Sequence, residues 1–210
     1  MESLLKIFKT GDKFRKSRFH SLRGDFMPIL EIPQIPVELV LRFFRINRKG
    51  PWLSKPAIRA LEVILKTSAS EKLRILEIGG GASTQFFLKY SPSVTTIEEN
   101  AKWASHILKK SEGSEALTLV IANLSEWLNT INEKNARYDI VLIDGGTDEE
   151  RLKALNKLYY IVPNCLFVLD NSDRAIFKSI DTVLAPSEII RFRGLLRNPF
   201  QVTETTFLRK

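Results

Sequence analysis

From residue 73 onwards, short apolar runs alternate with longer stretches in which apolar residues recur three and four positions apart. The short runs are typical of strands buried on both faces, and the longer stretches are typical of amphipathic helices. The pattern predicts strands at 73–78, 94–98, 117–122, 138–144, 166–170, 188–193 and 203–209. It predicts helices at 51–67, 84–90, 101–111, 124–132, 148–160 and 174–185. Strands that alternate with helices indicate an α/β domain with a parallel sheet covered on both faces.

The first 50 residues differ from the rest in charge. They contain 11 Lys or Arg against 5 Asp or Glu, whereas residues 51–210 contain 21 against 19, so most of the net charge of +8 lies at the start. We expect the basic arm at 1–27 to pack its aromatic rings on the domain and to leave its charges in water. The alternative is an amphipathic element that contacts an anionic membrane or nucleic acid. The arm carries Lys6, Phe8, Lys9, Lys13, Phe14, Arg15, Lys16, Arg18, Phe19 and Arg23.

Three prolines then mark a linker, and residues 37–46 read VELVLRFFRI, which is apolar nearly all round. A helix of this kind favours burial, so we expect an extra core helix. A cap over the substrate cleft and a homodimer contact are the alternatives. The pattern divides the chain into a basic arm with an extra helix at 1–50 and one domain at 51–210.

Cysteine and histidine usage narrows the class of protein. The only cysteine, Cys165, excludes a disulfide framework and favours a reducing, cytoplasmic setting. The two histidines, His20 and His106, do not stand in a metal-ligand pattern, so a zinc site is not expected. No apolar run has the length of a signal peptide core or of a membrane span.

The stretch ILEIGGGAST at 75–84 carries the clearest chemical signal. An apolar strand runs into three consecutive glycines, Gly79, Gly80 and Gly81, and the next helix opens with the capping types Ser83 and Thr84. Glycine serves where the backbone takes positive φ or approaches a ligand closely. A helix start also offers free N–H groups. The stretch therefore predicts a ligand-binding turn between strand and helix.

Acidic residues at the carboxyl ends of the predicted strands refine this prediction. Glu77 interrupts the apolar run two residues before Gly79, where an unpartnered carboxylate would be costly. Glu98 lies 17 residues beyond Gly81, near the spacing at which an acid on the next strand reaches a ribose diol. Two further strands end in Asp144 and in Asp170. The carboxyl ends of parallel strands meet at one edge, so we expect these acids to line one cleft.

Taken together, these motifs resemble those of class I S-adenosylmethionine (SAM)-dependent methyltransferases over roughly 51–210. The resemblance implies a doubly wound, mostly parallel seven-stranded sheet with an antiparallel last strand. It implies that Gly79 and Gly81 pass under the methionine part of SAM, that Glu98 binds the ribose hydroxyls and that Asn123 faces the adenine. Glu77 is expected to hold the turn, or the amino group of the ligand through water. The implied cofactor-binding residues are Glu77, Gly79, Gly80, Gly81, Ser83, Thr84, Glu98, Asn123 and Asp144.

A second, partial resemblance concerns a metal. Asp144, Asp170 and Asn171 are similar in arrangement to the acids with which catechol and caffeoyl-CoA O-methyltransferases bind a divalent ion. The resemblance implies Mg²⁺ ligands at these residues and a catalytic role for Asp144 and Asp170. This sequence departs from the pattern at Thr147, where those relatives carry lysine. The alternative is that Asp144 lines the cofactor cleft while Asp170 and Asn171 cap the helix that begins at Arg174.

Three functions are compatible with these features. The first is methyl transfer from SAM to an oxygen, or less readily a nitrogen, of a small molecule or sugar. The second is a nucleotide-binding oxidoreductase, which the glycine register and the lack of a Tyr-x-x-x-Lys pair disfavour. The third is a catalytically silent fold whose basic arm binds RNA or a membrane.

Overall fold

The computed structural model describes residues 12–46, 50–68, 72–196 and 199–210. Seven strands form one sheet, and their bounds are β1 Arg74–Ile78, β2 Ser93–Glu98, β3 Leu117–Ile121, β4 Ile140–Ile143, β5 Leu166–Asp170, β6 Glu188–Leu196 and β7 Gln201–Arg209. The helices are α1 Gln34–Phe43, α2 Lys55–Thr67, α3 Ala82–Phe87, α4 Ala101–Lys110, α5 Leu124–Thr130, α6 Asp148–Ile161 and α7 Ile180–Leu184. Two 3₁₀ turns lie at Ile29–Glu31 and Ala175–Phe177.

The strand order is β3-β2-β1-β4-β5-β7-β6. Strands β1 to β5 run parallel, whereas β7 is antiparallel to β5 and β6 is antiparallel to β7. This is the predicted architecture, a mostly parallel seven-stranded sheet with an antiparallel last strand. The chain leaves β1 towards β2 on one side and returns to β4 on the other, so the strand order reverses beside β1. Ligands of open α/β sheets bind at the carboxyl ends of the strands at such a reversal.

Consecutive residues of β1 supply the two halves of the core. Leu76 packs in a cluster with residues of α5 and α6, including Leu128 and Leu155, whereas Ile75 packs on the other face with Leu61 and others of α2. This is the alternation that a strand buried on both faces requires. The central strands of the sheet are therefore covered by an apolar layer on each face, and their carboxyl ends are where polar side chains meet.

Several predicted helices differ in their bounds from those observed, and the helix expected at 51–67 begins only at Lys55, after Ser54 as its N-cap. The helix expected at 84–90 is α3, which begins at Ala82 with Gly81 at its N-cap, so Ser83 and Thr84 lie inside the first turn. The helix expected at 174–185 is a 3₁₀ turn followed by the short α7, which ends at Ala185 in the left-handed conformation. A left-handed residue cannot continue a right-handed helix.

The described part of the basic arm is joined to the domain through its charges as well as its rings. Phe19 is buried with Met27 against Phe200 and its neighbours, as expected, whereas Phe14 is 76% exposed, so the expectation is wrong for that ring. Arg15 Nη1 donates to the carbonyl of Val202 at 2.8 Å, and Arg23 Nε lies 3.2 Å from Glu204 Oε1. The expectation that the arm leaves its charges in water is wrong for these two arginines, because they neutralise buried acids. The predicted arm residues Lys6, Phe8 and Lys9 lie outside the described residues.

The helix predicted at 37–46 is α1, which begins three residues earlier at Gln34. Its inner side packs Ile35 and Leu39 against the cluster that holds Phe19. Its outer side, which includes Val40 and Phe43, is exposed. The expectation of an extra core helix is therefore correct for one side only.

Candidate functional site

The turn after β1 is shaped by close contact with the loop after β4. Gly79 has a φ of +84°, and a Cβ added to it would lie 2.3 Å from the Cα of Gly145. The two backbones therefore touch, and neither position has room for a side chain. Gly79 is required for this contact between loops, and the contact brings the ends of β1 and β4 together.

All three glycine amides of the turn already have protein acceptors. The Gly79 N–H donates to the carbonyl of Ile97 at 2.9 Å. The Gly80 N–H donates to Glu98 Oε2 at 3.1 Å, and the Gly81 N–H donates to Thr84 Oγ1 at 2.9 Å. The three glycine amides are therefore engaged within the protein, and any free N–H groups of the helix start belong to residues after Gly81.

Glu77 holds this turn from within the sheet. Its side chain is fully buried, and its Oε2 accepts hydrogen bonds from Thr84 Oγ1 at 2.5 Å and Thr96 Oγ1 at 2.8 Å. Burial raises the pKa of Glu77 from 4.5 to about 7, although hydrogen bonds from Ser83, Thr84 and Thr96 oppose the shift. The nearby Asp144 carboxyl adds to the rise. Ser83 and Thr84 thus turn their hydroxyls inwards to Glu77.

Glu98 stands at the carboxyl end of β2 with both oxygens engaged by backbone amides. Besides Gly80, it accepts from the Asn100 N–H through Oε1 at 2.8 Å, and it remains partly exposed. Each carboxylate oxygen has a second lone pair, so the group can still accept a hydrogen bond from a ligand hydroxyl. The indole of Trp103 lies over the same turn and donates to the Gly80 carbonyl at 2.7 Å.

Asn123 lies next to the cleft but is used to cap α5. Its Oδ1 accepts from the N–H groups of Ser125 and Glu126 at 3.0 and 3.2 Å, and its Nδ2 donates to Glu99 Oε1 at 2.6 Å. This arrangement fixes the loop after β3 beside the end of β2. The cleft between these loops is lined by Ile78, Gly79, Ile97, Glu98, Glu99, Ala122, Leu124, Gly145 and Gly146.

A larger cavity, of about 430 Å³, lies at the other edge of the sheet, near Arg74 and Asp139. These residues precede or begin their strands, and Asp139 is paired with Arg74 at 3.2 Å. Ligand sites of open α/β sheets lie at the opposite, carboxyl edge. We therefore place the functional site in the smaller cleft beside Glu98.

Two carboxyl groups and one arginine meet where β4 and β5 end. Arg151 of α6 is buried, hydrogen bonds to the carbonyl of Asp144 and lies 3.6 Å from Asp144 Oδ1. Burial raises the pKa of Asp144 and of Asp170, and the proximity of the two carboxyls raises that of Asp170 further. The positive charge of Arg151 opposes both shifts. The side chain of Asp144 is 23% exposed, whereas Asp170 is only 2% exposed, so Asp144 is the member that a ligand can reach.

Two of the three predicted metal ligands, Asp170 and Asn171, already accept hydrogen bonds from other protein groups. Asp170 accepts from Thr205 Oγ1 at 2.9 Å and from Asn171 Nδ2 at 2.6 Å, and Asn171 Oδ1 accepts from Thr203 Oγ1 at 3.1 Å. With Arg151 beside Asp144, this arrangement does not offer three free oxygen ligands to Mg²⁺. Within the described ranges, no group of three or more His, Cys, Asp or Glu side chains is placed to hold a metal ion.

The alternative reading of Asp170, as a helix cap, is wrong. Its carboxyl turns to Thr205 of β7, and the 3₁₀ turn after Arg174 has no side-chain cap among the described residues. Thr147, which stands where the metal-dependent relatives carry lysine, accepts from the Glu150 N–H at 3.3 Å and begins α6 with a capping box. A threonine at position 147 is therefore explained by its role as the N-cap of α6.

Comparisons with known proteins identify the fold. No protein-family model matches the sequence, and no curated protein matches it. The structure is similar to the O-methyltransferase TomG from Streptomyces achromogenes, solved with SAM, at a TM-score of 0.57 and 14% identity over 85% of this chain and 90% of that one. It is also similar to an O-methyltransferase from Bacillus cereus, solved with S-adenosylhomocysteine (SAH). The TM-score is 0.60 and the identity is 15%, over 86% of this chain and 93% of that one.

An rRNA methylase from Streptococcus thermophilus is also similar, at a TM-score of 0.54 and 11% identity over 78% of this chain and 98% of that one. At such identities the likeness shows the fold, and this chain has the Rossmann-like fold of class I SAM-dependent methyltransferases. Because these proteins differ in substrate, the fold does not identify the methyl acceptor.

The structure brings most of the predicted residues to one edge of the sheet. Sequence reasoning missed Trp103, Arg151 and Thr205, all of which contact a predicted residue or its turn. An aromatic residue near the start of the helix after β2 was the available signal for Trp103. A partner from the distant β7 left no local signal for Thr205.

Proposed function

We propose that this chain is a SAM-dependent methyltransferase that transfers the methyl group to an oxygen of a small molecule or sugar. The observation that carries the proposal is the hydrogen bonding of the glycine turn. Its three glycine amides are satisfied within the protein, and the cleft beside it is lined by the acids Glu98 and Glu99.

The hydrogen bonding of the turn and the acids of the cleft distinguish SAM from a dinucleotide as the ligand. A dinucleotide needs unpaired N–H groups for its pyrophosphate. SAM instead carries a sulfonium, an ammonium and a ribose diol, which are positive groups or hydrogen-bond donors. A cleft lined by carboxylates suits SAM and disfavours the pyrophosphate. The fold neighbours crystallised with SAM or SAH support the same choice.

In the proposed site, Glu98 binds the ribose hydroxyls, and Glu77 keeps the turn in shape by holding Thr84 and Thr96. Asn123 fixes the loop expected to face the adenine, and the Trp103 indole covers the turn. When bound, SAM supplies a methyl group already activated on sulfur, so positioning provides much of the rate.

Asp144 is the proposed proton acceptor for the methyl-accepting hydroxyl. Its pKa is raised, chiefly by burial, and a raised pKa makes a carboxylate a stronger base for proton transfer. Asp170 is more deeply buried and bonded to Thr205, so we assign it a positioning role at the end of β5. No step is assigned to a metal, because Arg151 supplies the positive charge beside Asp144.

Methyl transfer from labelled SAM to a panel of phenols, sugars and amines, with products identified by mass, tests the proposal. Asp144→Asn should lower turnover about 100-fold. Asp139→Asn is the matched control, since Asp139 precedes the same strand at the opposite edge and pairs with Arg74. Equal turnover in the Asp144 variant and in the wild type would contradict the assignment.

Chelation gives a separate prediction about the metal. Turnover should be indifferent to EDTA, because Asn171 and Asp170 are hydrogen-bonded to protein groups. Loss of turnover with EDTA and recovery with Mg²⁺ would contradict this and restore Asp144, Asp170 and Asn171 as ligands.

A further inference from the structure

The 3₁₀ turn at Ile29–Glu31, the following α1 and the residue after it carry exposed apolar side chains, here called the 29–44 face. Its members are between 48% and 88% exposed and comprise Ile29, Leu30, Val37, Val40, Phe43 and Phe44. Val37 and Val40 of α1 and Phe44, the residue that caps it, recur at three- and four-residue spacing and so lie on one side. Exposed apolar side chains gathered in this way mark an interaction surface.

The orientation of this face is fixed by contacts on the opposite side of the segment. Ile35 and Leu39 pack against the buried cluster that holds Phe19. Glu38 forms an ion pair with Lys55, and Glu31 forms one with Arg59. Apolar packing and ion pairs therefore hold the inner side of the segment against the domain, and the 29–44 face points outwards.

The exposed charge around the face is positive. Glu31 and Glu38, the only acids between residues 26 and 61, are 4% and 1% exposed and already paired. Arg42 and Arg45 are exposed. The sequence continues with Arg48 and Lys49, and Trp52, which follows, is 62% exposed. Apolar side chains flanked by exposed arginine and tryptophan suit the boundary between lipid headgroups and acyl chains.

We propose that the 29–44 face is a membrane-binding surface that lies on an anionic lipid bilayer. The apolar side chains enter the boundary of the acyl region, and the basic residues contact lipid phosphates. A ten-residue helix such as α1 is about 15 Å long and lies along the surface instead of crossing it. None of the helices in the described ranges is long and apolar enough to span a bilayer.

Charge favours lipid over a second copy of this chain. In a two-fold symmetric dimer the same face meets itself, so Arg42 and Arg45 would approach the same residues of the partner. Like charges at an interface oppose association. An anionic bilayer supplies the complementary charge and the apolar environment together.

Vesicle flotation of the full chain tests this proposal, using phosphatidylcholine with and without phosphatidylglycerol. The chain should float with the anionic vesicles, and Val40→Ser/Phe43→Ser should weaken binding about tenfold or more. Arg45→Gln should weaken it about fivefold, and only where phosphatidylglycerol is present. Val183→Ser/Tyr160→Ser is the matched control, since these side chains are 57% and 61% exposed elsewhere and should leave binding unchanged.

Three results would overturn the proposal. The first is vesicle binding that is insensitive to Val40→Ser/Phe43→Ser but is lost when residues 1–11 are removed. The second is a concentration-dependent dimer in sedimentation that the same double variant dissociates, with no flotation of the wild type. The third is that the wild-type chain does not float with anionic vesicles in low salt, although circular dichroism and thermal unfolding show that it is folded.

Discussion

At the scale of single residues, Glu77 predicts a pH dependence of stability. Its pKa is about 7 in the folded chain, against an ordinary value of 4.5, because burial disfavours the charged form. Below pH 4.5 both states are protonated. As the pH rises from 4.5 to 7, the unfolded carboxyl ionises first and the folded state loses stability. The loss is complete above pH 7 and amounts to about 3 kcal/mol.

Urea unfolding of the wild type and Glu77→Gln at pH 5 and pH 8 measures this effect. The Gln variant should lack this contribution, so its stability relative to the wild type should rise between the two pH values. Glu112→Gln, on an exposed turn, should follow the wild type. Parallel pH curves for wild type and Glu77→Gln would show that the buried carboxyl does not titrate as described.

The residue scale also shows what the sequence reveals of a site. Glu77, Glu98 and Asp144 were predictable because each is an acid that ends or interrupts an apolar strand. The pairing of Glu77 with Thr96 was not, because the two residues lie on different strands and meet only through the β1–β2 register. The same holds for the buried acid pair and Arg151.

At the scale of elements, the contact between the β1 and β4 loops predicts different outcomes for neighbouring glycines. Gly79→Ala should lower stability by about 3 kcal/mol or more, because its Cβ would meet the backbone of Gly145 at positive φ. Gly81→Ala should cost about 1 kcal/mol or less, since the nearest atom to its Cβ is Trp103 Nε1 at 3.7 Å. Thermal unfolding of both variants checks this, and equal melting temperatures would contradict the loop contact.

Element types were predictable where the hydrophobic period was long, as in α6 and in the five parallel strands. The residues at which helices begin were less predictable where glycine and serine precede or open the helix. The helix after the glycine turn begins earlier than the capping types Ser83 and Thr84 suggest, because both hydroxyls serve the buried Glu77. The sequence pattern of α1 also could not tell which side would be exposed, since both sides are apolar.

At the scale of the whole molecule, the arm is expected to be part of the fold. Removing residues 1–11 should leave a stable chain, whereas removing 1–27 should destabilise it by several kcal/mol. The longer deletion takes Arg15 and Arg23 away from the buried Asp173 and Glu204 and exposes the site of Phe19. Urea denaturation of both truncations measures the difference. Equal stability in the two would mean that the buried acids do not depend on the arm.

The central claim is that the cleft beside the glycine turn binds SAM through Glu98. Isothermal titration calorimetry of the full chain with SAH and with NAD tests it most directly. We expect binding of SAH and none of NAD, and Glu98→Ala should weaken SAH binding by about 1–3 kcal/mol because ribose hydroxyls lose their acceptor. Glu112→Ala, on an exposed turn that does not line the cleft, should bind SAH as the wild type does. Binding of NAD, or SAH affinity unchanged in Glu98→Ala, would contradict the claim.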